Sequence, residues 1–203
     1  SLTSLSDDLF GHCTNLTEIT LPDSITSVGS YAFYKCNIKK LIVADGSQTV
    51  TSNMTISTIE EVVIPDSVTY ISAYAFTNCT KLKKVSLPKN VTLISRDAFN
   101  GCTDLTEVIL PEGITLISVS AFENCTSLAK INIPSSVTTI GSRAFYNCDS
   151  LTEITLPDSI TTIPSYLFFA CTSQTLVVAG GAPTGARKST RASIAEVAVP
   201  VSE

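Results

Sequence analysis

The sequence has no tryptophan, one histidine and one methionine, and only 15% of its 203 residues are charged. Acid–base and nucleophilic catalysis need titratable groups placed together, and these are scarce. No G-x-S-x-G, Walker A loop, H-E-x-x-H or dinucleotide-binding glycine pattern occurs. No C-x-x-C occurs either, and His12 abuts Cys13, which argues against zinc. The carboxylate neighbours Asp7-Asp8 and Glu60-Glu61 would point to opposite sides of an extended chain. We therefore expect no enzyme, no catalytic residue, no cofactor and no metal. A net charge of −5 without a basic stretch disfavours nucleic acid and anionic lipid as partners. No apolar run reaches the roughly 18 residues of a membrane span, and no basic stretch followed by an apolar one opens the chain.

What the sequence does contain is a period. Cysteines stand at 13, 36, 79, 102, 125, 148 and 171, every interval being 23 except that from Cys36 to Cys79. A phenylalanine precedes each by three: Phe10, Phe33, Phe76, Phe99, Phe122, Phe145 and Phe168. A repeat of this length predicts stacked like units, each unable to enclose a core alone.

Counted from each cysteine, leucine follows at plus three (Leu82, Leu105, Leu128), Val or Ile at plus six (Val85, Val108, Ile131) and Leu or Ile at plus eight (Leu87, Leu110, Ile133). The alternation predicts one short strand, parallel to its copies about 4.8 Å away. Proline at plus nine (Pro22, Pro65, Pro88, Pro111, Pro134, Pro157) lacks the N–H needed to continue a ladder and ends it. A polar turn, a Val/Ile-x-x-Ile segment and Ala-Phe-x-x-Cys complete the unit, with alanine leaving room for the next coil and phenylalanine supplying bulk on the outer side. The expected fold is a repeat solenoid: a right-handed coil with a parallel β-sheet on the concave face and loops or short 3-10 turns on the convex face, one regular strand per coil. A parallel β-helix, the alternative, would add strands on the Val/Ile-x-x-Ile segment.

The pattern L-x-x-I-x-L-P…I-x-x-I-x-x-x-A-F-x-x-C over about residues 1–178 resembles the BspA-like (treponemal-type) leucine-rich repeats. The resemblance implies a leucine-rich-repeat fold and an extracellular or cell-surface setting. It also implies adhesion to host matrix proteins or cells as a non-enzymatic role. Residues 1–178 are expected to form about eight coils with a truncated N-terminal end, as a piece of a longer protein. Residues 179–203 are expected to be a tail or linker, with 194–201 able to return as an edge strand.

The repeat fails once inside the chain. Between Cys36 and Cys79 the strand residues Ile38, Leu41 and Val43 come one place early, and residues 44–58 have neither the proline nor the Ala-Phe pair. Ile56 falls where cysteine is due and Asn53 where phenylalanine is due. The expectation for 37–58 is a short coil whose strand still pairs and whose convex side is irregular and more mobile. Such a coil is either a docking notch or a tolerated degenerate repeat.

The cysteines form one column of odd number whose side chains point in parallel. Small buried packing groups are expected rather than disulfides or metal ligands. The plus-five column reads Glu18, Lys40, Glu61, Lys84, Glu107, Lys130, Glu153, alternating in sign along the concave sheet. Beside it the plus-seven column reads Thr20, Ile42, Val63, Ser86, Ile109, Asn132, Thr155. These fourteen residues are the candidate partner-binding face. The charges either pair among themselves or form a code for a ligand, and Ile42, Val63 and Ile109 are candidates for an apolar contact. An open sheet suits a protein (a host matrix or cell-surface protein) or a glycan rather than a small molecule. The rival readings are a structural spacer without a ligand and the non-catalytic part of a larger enzyme. Asn-x-Thr triplets at Asn15, Asn53, Asn78, Asn90 and Asn124 matter only in a eukaryotic secretory host.

Overall fold

In a computed structural model of the protein, residues 1–171, 174–178 and 194–198 are described, the last two segments by their backbone alone. The chain winds as a solenoid of parallel strands, with no helix among the described residues. The concave strands are β2 (Glu18–Leu21), β4 (Lys40–Val43), β6 (Glu61–Val63), β8 (Lys84–Ser86), β10 (Glu107–Ile109), β12 (Lys130–Ile131), β14 (Glu153–Leu156) and β15 (Gln174–Val178). They pair in three groups, β2-β4-β6, β8-β10-β12 and β14-β15-β16, where β16 is Ile194–Ala198. The concave sheet is thus segmented, and 194–198 returns beside β15 as the sequence allowed.

One expectation needs correcting. Seven coils carry a second, two-residue strand on the Val/Ile-x-x-Ile segment or its equivalent, where one strand in all was expected. These strands are β1 (Ser4–Leu5), β3 (Ser27–Val28), β5 (Thr49–Val50), β7 (Tyr70–Ile71), β9 (Leu93–Ile94), β11 (Leu116–Ile117) and β13 (Thr139–Ile140). Like stacked on like brings the same N–H and C=O groups opposite one another, so two extended residues are enough to pair. Turns on either side keep the segment short. The convex face is built of turns, without the 3-10 helix the sequence allowed, among the described residues.

Each proline opens the turn that follows the concave strand: Val91 N donates to Pro88 O at 3.1 Å and Ile114 N to Pro111 O at 3.2 Å. The convex turn needs left-handed backbone twice, two residues before and two after each phenylalanine, as at Ser120 (φ 56°) and Asn124 (φ 61°). Asparagine tolerates that region better than most residues, and glycine occupies it at Gly101 (φ 75°). An added Cβ at Gly101 would also meet the side-chain oxygen of Asn78, which would have to turn aside. Asn147 Nδ2 donates to Asn124 Oδ1 at 3.0 Å and Asn124 Nδ2 to Asn100 Oδ1 at 3.2 Å, tying three successive turns by side chains.

The core follows the repeat. Phe76, Phe99, Phe122, Phe145 and Phe168 are stacked in file with centroids 5.2–5.9 Å apart, buried beneath the convex turns. Phe10 and Phe33 form a separate stacked pair at 5.6 Å. At roughly 1.5–3 kcal/mol per fully buried large apolar side chain, this column is a principal stabilising element.

The cysteines do more than fill space. Cys102, Cys125 and Cys148 Sγ donate to the carbonyls of Phe76, Phe99 and Phe122 in the preceding coil at 3.1, 3.2 and 3.2 Å. Each of those carbonyls also accepts from the cysteine N–H of its own coil, for example Cys125 N to Phe122 O at 3.2 Å. The thiol therefore uses the carbonyl's second lone pair. Cys36, Cys79, Cys102, Cys125 and Cys148 are buried free thiols, whereas Cys13 is exposed. Burial pushes the Cys79 thiol up to about 12 from 9.0, and lifts Cys102, Cys125 and Cys148 well above that ordinary value.

The short coil keeps its concave strand: β4 pairs with both β2 and β6. Ala44, in the place of proline, extends that ladder by donating to Leu21 O at 2.9 Å. Its second strand, β5, pairs with β7 but not with β3. Ile56 does take the cysteine's place, buried at 2% exposure. The phenylalanine's place belongs to Met54 and not to Asn53, because Cys79 Sγ donates to Met54 O, as the other cysteines do to phenylalanine carbonyls. Counting by fixed offset missed this because the turn 51–55 has five residues where 72–78 has seven.

Candidate functional site

The alternating charge column lies across the concave strands in register: Glu18 beside Lys40, Lys40 beside Glu61, and Lys84 beside Glu107 beside Lys130. Glu153 continues it in β14. From Glu18 to Lys130 the side chains of this column lie on the solvent side because β2 through β12 turn the plus-six and plus-eight residues inward; Val85 and Leu87, for instance, are buried. Lys40 and Ile42 are half-buried, whereas Glu18, Thr20, Glu61, Val63, Lys84, Ser86, Glu107, Ile109, Lys130, Asn132 and Thr155 are exposed.

Two of the column's neighbour pairs close as ion pairs among the described residues. Lys40 Nζ is 3.4 Å from Glu61 Oε1, and Lys84 Nζ is 2.8 Å from Glu107 Oε2. Both lie within a hydrogen-bonded sheet group, whose fixed register holds the partners opposite one another. A second row that the sequence did not single out runs alongside, with Lys39 Nζ 3.4 Å from Glu60 Oε1. The adjacent carboxylates Glu60 and Glu61 are therefore both exposed, each facing its own lysine. That row was findable, since Lys39 and Glu60 occupy one place in successive coils.

The plus-seven column brings Ile42 and Val63 side by side, while Ile109 stands beside Ser86 one strand group further on. The three apolar residues are thus a pair and a single residue rather than one patch. Val63 is 40% and Ile109 44% exposed, enough to offer their side chains to a partner. Where β12 and β14 part, a shallow hollow of about 330 Å³ opens on this face, lined by Lys130, Asn132, Thr152 and Thr155 among others. The described residues hold no cluster of three or more histidine, cysteine or acidic side chains able to grip a metal ion, and no helix long and apolar enough to cross a membrane.

The BspA type leucine-rich repeat region model matches residues 1–56 and 54–175, in six copies. The chain belongs to this family. Among solved structures it is similar to a leucine-rich cell surface protein from Faecalibacterium prausnitzii, with 26% identity, a TM-score of 0.62 and coverage of 88% of this chain and 59% of that one. It is similar also to the leucine-rich repeat protein of T. pallidum, with 28% identity and a TM-score of 0.63 over 74% of this chain and 72% of that one. The pneumococcal vaccine antigen PcpA shares the fold at 21% identity, with a TM-score of 0.61 over 94% of this chain and 49% of that one. The chain thus spans 59% of the first of these structures and about half of the last. A search of curated proteins finds no match. The chain is thus a leucine-rich-repeat protein similar to a bacterial leucine-rich cell surface protein.

Proposed function

We propose that the chain is a non-enzymatic interaction module of a cell-surface or secreted protein, which holds a host matrix or cell-surface protein on its concave sheet. The observation that carries this reading is the open strand array, where Ile42-Val63 and Ile109 stand exposed or half-exposed between rows of charge. Such a surface offers apolar anchors with a polar surround, the arrangement found in protein interfaces. The surface setting is supported by the leucine-rich cell surface protein of F. prausnitzii, with which the chain shares 26% identity.

Saturable binding to immobilised matrix proteins tests it. Val63→Arg and Ile109→Arg should each weaken binding by at least tenfold while leaving the circular dichroism and thermal transition unchanged. Binding that survives both substitutions would move the partner off this face. The spacer reading is favoured by one observation, that Lys40–Glu61 and Lys84–Glu107 neutralise much of the charge column internally; it predicts no saturable binding at all.

A further inference from the structure

In the regular coils the convex turns are joined through their backbones. Tyr74 and Phe76 N–H donate to the carbonyls of Arg96 and Ala98 in the following coil at 3.0 and 2.7 Å, and Asp8 and Phe10 do the same onto Ser30 and Ala32. The equivalent donors that face the short coil, Tyr31 and Phe33 N–H, meet no backbone acceptor among the described residues. The turn 51–55 beyond them is shorter than its counterpart 72–78, and a cavity of about 440 Å³ opens there. That volume falls within the roughly 300–1,000 Å³ usual for small-molecule sites. Tyr31 and Tyr34, 70% and 47% exposed, line it with rings 5.7 Å apart and nearly perpendicular. Asn53, Thr55, Ser57 and Asn78 supply most of the remaining lining, and no lining side chain is charged. These polar groups are largely uncommitted: the hydroxyls of Thr55 and Ser57 and the amide of Asn78 make no hydrogen bond among the described residues. In later coils the corresponding asparagines are bonded, Asn147 to Asn124 and Asn124 to Asn100. The side-chain oxygen of Asn78 lies beside Gly101 of the following coil, which leaves its nitrogen turned toward the cavity. Asn53 Nδ2 donates to Val28 O at 3.3 Å, which leaves its oxygen free to accept.

We propose that this cavity is a binding site for a neutral saccharide, which lays a pyranose ring against the two tyrosines and exchanges hydrogen bonds with the polar groups beside them. The lining identifies the ligand class. Backbone N–H groups and the Asn78 nitrogen only donate, the Asn53 oxygen only accepts, and the hydroxyls do either. A sugar hydroxyl donates and accepts at one atom, so a ring bearing several of them satisfies such a mixed set. The tyrosines call for the sugar's other character. A tyrosine face is partially negative and attracts the positively polarised C–H bonds on a pyranose face, and tyrosine gives contact area at low entropic cost. A charged ligand finds no counter-charge in the lining, and an apolar one would leave the open donors unpaired. A second aromatic corner, Tyr146, Tyr166 and Phe169, serves as an internal comparison. There the turn's donors are used, Arg143, Phe145 and Asn147 N–H bonding Ser165, Leu167 and Phe169, and Arg143 covers the Tyr146 ring at 4.4 Å. Exposed rings without open polar groups should hold no sugar. The cavity is on the convex side, so the proposal does not depend on what the concave sheet binds.

The full chain is titrated with the methyl glycosides of glucose, galactose, mannose and N-acetylglucosamine, each to about 100 mM so that even weak sites fill, and followed by backbone amide NMR. Sialic acid is the charged control and capped trialanine the peptide control. At least one neutral sugar should give saturable shifts at the Tyr31, Phe33 and Asn78 amides and none at Tyr146 or Tyr166. Tyr31→Asn removes the ring yet tolerates the left-handed backbone there (φ 57°). It should weaken binding at least about tenfold, as loss of an aromatic anchor does, whereas Tyr31→Phe should leave it nearly unchanged. Asn78→Asp keeps the shape but exchanges a donor for an acceptor, and should weaken binding at least about fivefold. The proposal is overturned if no neutral sugar gives a saturable shift, or if the shifts fall equally on Tyr146 and Tyr166. It is overturned equally if sialic acid or trialanine shifts the same amides as strongly, or if Tyr31→Asn and Asn78→Asp both bind as the parent does. The titrations of the unaltered chain decide the matter even if a variant does not fold.

Discussion

The run of coils from Phe76 to Phe168 and the short coil at 37–58 are built from the same apolar spacing, yet they keep different parts of the architecture. In the long run, concave strand, second strand and convex turn all register with their neighbours for most of its length. In the short coil the concave strand pairs on both sides, the second strand on one side, and the convex turn on neither. The interior stays sealed throughout: Ile38, Leu41 and Val50 are as fully buried as Leu82, Ile94 or Leu105. The difference shows that the solenoid's three tiers are separable. Inward side chains and the concave ladder hold the coil in line, while the convex turn requires its full complement of residues and can be lost alone.

The largest expected effect sharpens this contrast through the thiols. An unfolded cysteine begins to lose its proton near 9.0, whereas folded Cys79 holds it to about 12 and Cys102, Cys125 and Cys148 are likewise raised. Above the unfolded value the unfolded chain binds fewer protons than the folded one, so stability is full below about pH 9 and falls as pH climbs towards 12. Denaturant midpoints measured across that window should decline steadily. A chain with Cys102, Cys125 and Cys148 replaced by alanine should start less stable and show a much shallower decline. An equal slope in both chains would assign the alkaline loss to other groups.

Core truncation comes next. Phe122→Ala removes a ring from the middle of a stack and should cost about 3–5 kcal/mol, whereas Met54→Ala should fall nearer the low end of the range of about 2–5 kcal/mol, because the short turn can settle into the space. Urea denaturation of the two variants measures the gap, and equal losses would mean that the short coil is packed as rigidly as the rest.

Most of this was legible in the chain. Phe–Cys spacing marked the stack, the plus-six and plus-eight residues marked the concave strands, and proline marked where each strand stops. The charge column's phase was readable even through the one-residue contraction at Lys40, because the alternation survived it. Two kinds of feature were not legible. The second strand is only two residues long and has no pattern beyond the apolar pair that any buried segment shows. Met54 replaced Asn53 in the aromatic column because a deletion inside a turn shifts the offset without leaving a mark in the sequence. The thiol donation to phenylalanine carbonyls was hidden for a different reason, since a packing cysteine and a donating one occupy the same place in the repeat.

A smaller effect concerns the short turn's one orphan. Thr51 Oγ1 is buried without a partner, so Thr51→Val, nearly the same shape, should raise stability by about 1 kcal/mol. Thermal denaturation tests this, and a loss of stability instead would show that the hydroxyl is bonded in solution. Smallest of all should be the concave ion pairs. Lys84 and Glu107 are about half exposed, and Lys84→Ala should cost about 0.2–1 kcal/mol at low salt and less at high salt. A salt-independent loss would mean that the lysine acts through its aliphatic stem.

The buried thiol file also bears on where such a chain can mature. Each of the interior sulfurs has its hydrogen committed to a neighbouring carbonyl and is sealed from solvent. The solenoid therefore needs no oxidising machinery to become complete and has no wrong pairings to undo once it is wound. It can reach the same end state in a reducing interior or an oxidising exterior, and among the described cysteines the exposed Cys13 and the half-buried Cys171 are left to respond to the difference.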